Sequence, residues 1–549
     1  MIRKVAKMAI AILCLFGASP VPVRAALPAG PAQDPVLRAM VAEMERSKSE
    51  LKLEGVGAPY YIDYRIVDQD KYVADAVYGA VRTELRNRMR YLRVVVRLGD
   101  YTQDSFYQGG EGIAEIAGVD NDELALRHTL WLATDQAYKA AAEALTAKKA
   151  ALKQLTIEHP VDDFAHAEPV HLIGPLVALD PKASSWLKAL KDASAFYRRD
   201  PQLESVGANL SFEATNRYFV NSEGAIVRTG QSVYSVAVAA STQAADGMKL
   251  ERSADFVYGN FKDLPAPEKF EQHAEEVLGT LRQLRDAPVV DEEYRGPVLF
   301  SGDSATHVVA DFVGENVLGV KPALGQPART RGAFSSSYQS KVLPDFLSVV
   351  DDPTISSWKN EPLLGNYEVD DEGVKAVKVS LIDKGKLVAY VTGREPIRDF
   401  PASNGHGRAR YPANAPSASL GNLILQSSEP LADDAMKAKL LEMCKQRDLA
   451  FGYFVKASGP KNSPRMLYKV FVSDGHEELV RGATFGDLDA RALRNDIVAA
   501  GDTVSVENRP TNIPHSIASP SLLFDELVVK RVDQNKEKLP EYPAPQLAK

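Results

Sequence analysis

The apolar positions of this chain repeat with two periods, and the switches between them divide it into elements. After Asp34-Pro35, a pair suited to open a helix, Leu37, Met40, Val41 and Met44 recur at helical spacing. Ile62, Tyr64 and Ile66 alternate with Asp63 and Arg65, and Leu92, Val94 and Val96 keep the same period of two, which predicts half-buried strands. A Gly109-Gly110-Glu111-Gly112 loop precedes helical periodicity from Asp122 to Lys153, whose Ala- and Lys-rich end, poor in large apolar residues, predicts an exposed helix.

A strand-rich run starts at Leu210, where Phe212 and Ala214 alternate with Ser211 and Glu213. It continues through Tyr218-Phe219-Val220, a turn at Asn221 to Gly224 and a strand near Val236 and Val238, a meander. Phe270, Ala274, Val277, Leu281 and Leu284 mark one face of a helix that Pro288 stops, and a domain boundary falls near Asp291. Beyond it, Gly296 to Phe300 reads as a strand, and Asp303 as the cap of a helix carrying Val309, Phe312 and Val313. Val377, Val379 and Leu381, the turn Asp383-Lys384-Gly385 and Leu387 to Val391 form a hairpin pattern. Met436, Leu440, Met443 and Cys444 line one more helix, and strands near Val470 and Leu522 to Val529 close the chain. The fold class is therefore α+β: an N-terminal α/β domain over residues 26–290, divided internally near 205, then a β-rich C-terminal domain over residues 291–549.

Residues 1–25 read as a secretory signal: Arg3, Lys4 and Lys7 precede an apolar stretch from Met8 to Ala18, and Val23-Arg24-Ala25 suits signal peptidase. The apolar stretch is too short to cross a bilayer and no later one is longer, so a periplasmic or secreted protein without an integral membrane segment is expected. The bulky Leu13 argues against lipidation of Cys14. Cys444 is then the remaining cysteine, which excludes an intrachain disulfide. The formal charge of −8 becomes −12 once Arg3, Lys4, Lys7 and Arg24 are removed, which disfavours nucleic acid as a partner. With 45% hydrophobic and 25% charged residues in 549, the chain is long enough for two or more globular domains.

Four segments follow in a set order: Val350-Asp351-Asp352-Pro353-Thr354, Asp370-Asp371-Glu372-Gly373-Val374, Leu381-Ile382-Asp383-Lys384-Gly385, and the Asn404 to Arg408 loop. This series resembles the C-terminal domain of the TldD/PmbA family, and the likeness extends back through Gly296 to Phe300 and forward to Ser519-Pro520-Ser521-Leu522. The resemblance implies an N-terminal α/β domain, a β-rich C-terminal domain, and dimers whose shared cavity admits unfolded peptide. In active members the helix after the strand that resembles Val298 to Phe300 carries an H-E-x-x-x-H motif, and a later cysteine completes a zinc site. Imidazoles and a thiolate hold the ion there while the glutamate relays a proton from metal-bound water. Here the stretch reads Ser301-Gly302-Asp303-Ser304-Ala305-Thr306, and Val504-Ser505-Val506-Glu507-Asn508 stands near the cysteine's place. No catalytic residue is carried over, and the chain looks closer to the PmbA-type members that lack the motif and partner an active subunit.

The resemblance thus implies an exported peptide-binding or partner subunit, joined to a homologous TldD-type subunit or to itself, with no cofactor of its own and zinc in the partner. The alternatives are a metallopeptidase with a relocated metal site and a stand-alone peptide-binding protein. Candidate metal ligands are His307 with Asp311, one helical turn apart, and His166 and His171 in an acidic loop with Asp162, Asp163 and Glu168. A helix-surface histidine near an acid and a solvated loop are the simpler readings, since no spacing in the loop matches a known metal site. The S-x-x-K patterns at Ser185 and Ser356 lack a companion S-D-N motif, and His273 with Glu276 fits an exposed helix face. Asp351, Asp352, Glu372, Asn404 and Arg408 form a candidate cleft, although turns and caps use the same residue types.

Overall fold

The computed structural model describes residues 33–532 apart from 53, 181 and 182, and residues 539–545 apart from 543; the proposed signal segment lies outside the described residues. Helix α1 (Pro35–Glu50) begins where Asp34 accepts the main-chain N–H groups of Val36 and Leu37. A long hairpin follows: β1 (Tyr61–Val77) and β2 (Ala80–Arg97) pair along their length around Tyr78-Gly79, both at positive φ. Strand β3 (Ile113–Ala117) leads to α2 (Glu123–Leu152), capped by Asp122. Then come the short β4 (His171–Ile173), α3 (Leu187–Ser194), the strands β5 (Leu203–Asn221), β6 (Ile226–Gln243) and β7 (Lys249–Tyr258), and α4 (Pro267–Asp286).

These seven strands make one sheet in the order β3-β2-β1-β5-β6-β4, with β7 also on β6. Strand β5 pairs with β1 from Asp63↔Asn221 to Val77↔Gly207, so the chain on both sides of residue 205 contributes to this one sheet. The even-numbered residues of β1, β5 and β6 pack under the helices: Ile62, Tyr64 and Ile66 with α1 and α2, Phe212, Val236 and Val238 with α3 and α4. Helix α2 is also less exposed than its composition predicts. Its Ala133, Ala137, Ala141 and Ala144 are small enough to lie close against the sheet and α1, so a stripe of alanines does the work of larger side chains.

The C-terminal domain is built on a twelve-stranded sheet. At its centre β8 (Tyr294–Phe300) runs parallel to Phe451–Ser458 and antiparallel to His515–Arg531. Helix α5 (Gly302–Phe312) leaves β8 at once and packs Val308 and Val309 into the main core; its N-cap is Ser301, whose hydroxyl accepts from Ser304 N, so Asp303 is not the cap. Strand β9 (Leu347–Asp351) pairs with Val379–Asp383 and with Asn422–Ser427. Helix α6 (Asp433–Gln446) covers the other side of the sheet, where Met436, Leu440 and Cys444 meet Leu299, Val470 and Leu523. The odd-numbered face of the N-terminal sheet is the polar one, and the C-terminal domain closes over it. No helix among the described residues is long and apolar enough to cross a membrane.

Candidate functional site

The first candidate is the junction of β8 and α5 with the strand Ile497–Arg509, where the family resemblance would put a zinc motif. Ser301 is occupied as a cap and donates its hydroxyl to Lys456 O at 3.0 Å. Gly302 lies so close to that strand that a Cβ there would stand 2.5 Å from Ser505 Oγ. The Thr306 hydroxyl is 2.7 Å from Asp303 O and 2.9 Å from Glu507 Oε2, and Arg509 Nη2 donates to the same oxygen at 2.8 Å. Burial would raise the Glu507 carboxyl, but Arg509, with His307 and Thr306 adding to it, holds the group below the usual carboxylate range.

His307 Nε2 is 3.9 Å from Glu507 Oε1, beyond hydrogen-bond reach, while Asp311 turns to Asn462, accepting from its Nδ2 at 2.9 Å. A cavity of about 300 Å³ opens here, lined among others by Asp255, Asp303, His307, Glu361 and Glu507. Where the family motif and cysteine would supply imidazoles and a thiolate, the chain has hydroxyls, a glycine and a carboxylate neutralised by arginine. That donor set does not fit zinc, which favours imidazole nitrogen, thiolate and free carboxylate.

The acidic loop does not converge either. His166 lies tilted against Tyr101 with ring centroids 3.5 Å apart, His171 is exposed at the start of β4, and Asp163 is held by Lys148 at 2.6 Å and Lys321 at 2.9 Å. Among the described residues no three His, Cys, Asp or Glu side chains are grouped so that they could hold a metal ion.

The candidate cleft residues do come together, but mostly behind the cavity walls. Asp351 is fully buried, 3.1 Å from His406 Nε2, and accepts from Gly421 N. Asp352 folds back on Thr354 N and Oγ1, and Asn404 braces its loop through Thr392 N and Tyr390 O. Glu372 accepts Arg394 N at 2.6 Å; burial, with Asp370 beside it, pushes its carboxyl up to about 8, and burial pushes Asp370 up to about 6. Arg408 stacks over Tyr367, 4.2 Å from the ring centroid, with Nε 3.4 Å from Asp371 Oδ2.

Two adjacent hollows between the domains lie in front of this network. One of about 270 Å³ is floored by the polar face of the sheet, with Arg65, Lys71, Glu213 and Arg217, and roofed by residues 409–412, 510–512 and 514. The other, about 600 Å³, shares Arg217, Gln231 and Asp371 with it and continues past Arg408. Of the expected cleft residues only Arg408 borders these two hollows. Asp371, named in the sequence beside Glu372, borders both; Arg65 showed only as the polar partner in an alternating strand, and nothing near Arg217 signalled it.

Comparison with known proteins adds the family. Residues 294–531 match the family described as the PmbA/TldA metallopeptidase C-terminal domain. A metalloprotease of Methanocaldococcus jannaschii is 31% identical over 114 residues, 20% of this chain and 24% of that protein. One of Archaeoglobus fulgidus is 26% identical over 163 residues, 28% and 35% of the two chains. The matched stretch thus spans about a quarter to a third of these relatives' length. Among solved structures, a candidate modulator of a DNA gyrase from Thermotoga maritima superposes with a TM-score of 0.60 at 14% identity, over 90% of this chain and 99% of that one. TldE from Thermococcus kodakarensis gives 0.58 at 12%, over 89% and 99%. These two likenesses are of fold.

Proposed function

The chain belongs to the TldD/PmbA family of metallopeptidase-related proteins, and we propose that within it the protein is an exported, non-catalytic subunit that binds peptide or partners a TldD-type metallopeptidase. One observation carries the reading. At the start of α5, Ser301, Gly302 and Thr306 stand where the motif would be, and the nearby carboxylate of Glu507 is already held by Thr306 and Arg509. A zinc-bound water therefore has no seat there on this chain, and the metal belongs to the partner. Export rests on the leading basic and apolar segment. Peptide binding rests on the polar hollows between the domains, which are too narrow for a folded chain.

The purified chain, alone and mixed with a zinc-bearing TldD-type homologue, tests the proposal. Elemental analysis is expected to find no stoichiometric zinc on this chain, which alone should not hydrolyse an unfolded peptide, while the mixture should do so faster than the homologue alone. About one zinc per chain, lost in His307→Ala or in His166→Ala with His171→Ala, would establish the relocated-site alternative instead. Peptide binding with no effect on any homologue would favour the stand-alone binder. Fractionation of cells expressing the full sequence checks export.

A further inference from the structure

The 270 Å³ hollow has an imbalance of charge that the fold itself does not correct. Its floor is one face of four strands, and period two places Arg65, Gln69 and Lys71 of β1 beside Glu213, Thr215 and Arg217 of β5, with Lys71 opposite Glu213 in register. Glu213 is used within the wall: Gln69 Nε2 donates to it at 2.7 Å, Thr215 Oγ1 at 2.8 Å, and Lys71 Nζ stands 3.7 Å away. Asp371, the other acid of the wall, accepts Ala409 N at 2.8 Å and is shared between Arg408 and Arg217.

Arg217 has little else. Among the described residues its guanidinium makes one long hydrogen bond, to Gln231 Oε1 at 3.4 Å, and its Nε is 3.8 Å from Asp371. Arg65 is only 3% exposed, yet its hydrogen bonds go to the main-chain carbonyls of Pro412 and Asn414, which carry no charge, and its Nε has no acceptor. Burial pulls both guanidinium groups below their ordinary range despite Asp371, and for Arg217 the like charges of Arg408 and Arg65 add to the effect. An arginine fork held in a wall, part-neutralised and open to a hollow, is suited to a planar anion that accepts two parallel N–H groups.

We infer that this hollow receives the C-terminal carboxylate of an extended peptide, bound by Arg217 and Arg65 with Arg410 at the mouth. The residues that precede the carboxylate lie in the adjoining 600 Å³ hollow, whose lining includes the side-chain amides of Gln231, Asn260 and Asn366, suited to main-chain N–H and C=O groups. Arg217, Gln231 and Asp371 line both spaces, so a chain end lying in the larger one is placed to reach the Arg217 guanidinium. This assignment rests on the peptide-binding reading above and adds which end of the peptide is recognised and by what.

Fluorescence anisotropy with an N-terminally labelled penta-alanine, as the free acid and as the C-terminal amide, tests it. The full chain is expected to bind the acid about tenfold more tightly than the amide, the size of one charge-assisted bidentate contact. Arg217→Gln should erase the preference and Arg217→Lys, which keeps the charge but not the fork, should keep part of it. Arg410→Gln, at an exposed position that does not threaten folding, should reduce it by a smaller factor. Equal affinity for acid and amide in the unaltered chain overturns the carboxylate assignment while leaving peptide binding intact, whereas binding of neither peptide overturns both.

Discussion

Arg394 of the C-terminal domain reaches Glu223 of the N-terminal domain through a two-pronged contact, Nη1 to Oε2 at 2.7 Å and Nη2 to Oε1 at 2.8 Å. The same guanidinium donates from Nε and Nη2 to Ala165 O, lies 4.0 Å from the centroid of the Phe164 ring, and is completely buried. It is thus a clamp across the domain interface, and removing its counterion strands a charge with no route to water. Glu223→Gln is expected to destabilise the chain by about 3 kcal/mol, and Glu223→Gln with Arg394→Met by less than that single change. Urea denaturation of the three proteins checks this; a single variant as stable as the parent would mean that the clamp carries no net free energy.

Glu372 gives the interface a pH dependence of determinate sign. Its folded-state carboxyl titrates at about 8, raised by burial and then by Asp370, so the folded chain holds that proton more tightly than the unfolded chain does. The contribution is complete below the ordinary carboxylate range and is lost as the pH rises towards about 8. Glu372→Gln keeps an oxygen for Arg394 N and removes the titration. The parent should therefore lose stability relative to this variant between about pH 5 and pH 8, as read from denaturant midpoints across that range. Parallel profiles for the two proteins would exclude Glu372 as the source.

Local chemistry made much of this fold legible. Asp34 and Asp122 cap the helices they precede, and the alternation at Ile62 to Ile66 and at Phe212 and Ala214 marks true strands, because such signals depend on neighbours in sequence. The meaning of the alternate residues was not legible. Asp63, Arg65 and Arg217 are what a solvent-facing strand edge would also carry, and only the C-terminal domain, which follows more than a hundred residues after β1, turns that face into a cavity wall. The four segments that carried the family resemblance identified the right region. Most of their acids serve turns and loop braces, as Asp352 does with Thr354 and Asp370 with the N–H groups of Glu372, Val374 and Gly407. The pairing of β1 with β5 was hidden for a related reason: it links segments too far apart in sequence for any local pattern to show it.

Gly302 tests how tightly the start of α5 is seated on its neighbouring strand. A methyl group there meets Ser505 Oγ at 2.5 Å and Ser505 Cβ at 3.0 Å, both within a paired strand that has little room to retreat. Gly302→Ala is expected to cost about 1–3 kcal/mol through overpacking, in spite of the better helix propensity of alanine. Adding Ser505→Gly removes both clashing atoms, so the two substitutions together should be less damaging than their separate effects summed. Additive costs in thermal or urea unfolding would show that the junction yields more easily than the packing implies.

Cys444 offers a measure of opening in the C-terminal domain that needs no added probe site. Its thiol is wholly buried between α6 and the sheet, close to Leu440 and Gly452, and burial raises its pKa, with Tyr294 and Arg447 opposing. Both factors suppress reaction: the sulfur is out of reach and little of it is thiolate. In a chain starting at residue 26, where Cys444 is the remaining cysteine, a disulfide reagent such as DTNB should label the native protein only as fast as the domain opens. The rate should climb with urea in step with unfolding, and Leu440→Ala, which cuts into the same cluster, should raise it under native conditions by loosening α6 by about 2–5 kcal/mol. Labelling within seconds in the absence of denaturant, at the speed of a free thiol, would contradict the packing of Met436, Leu440 and Cys444 on which this helix is seated.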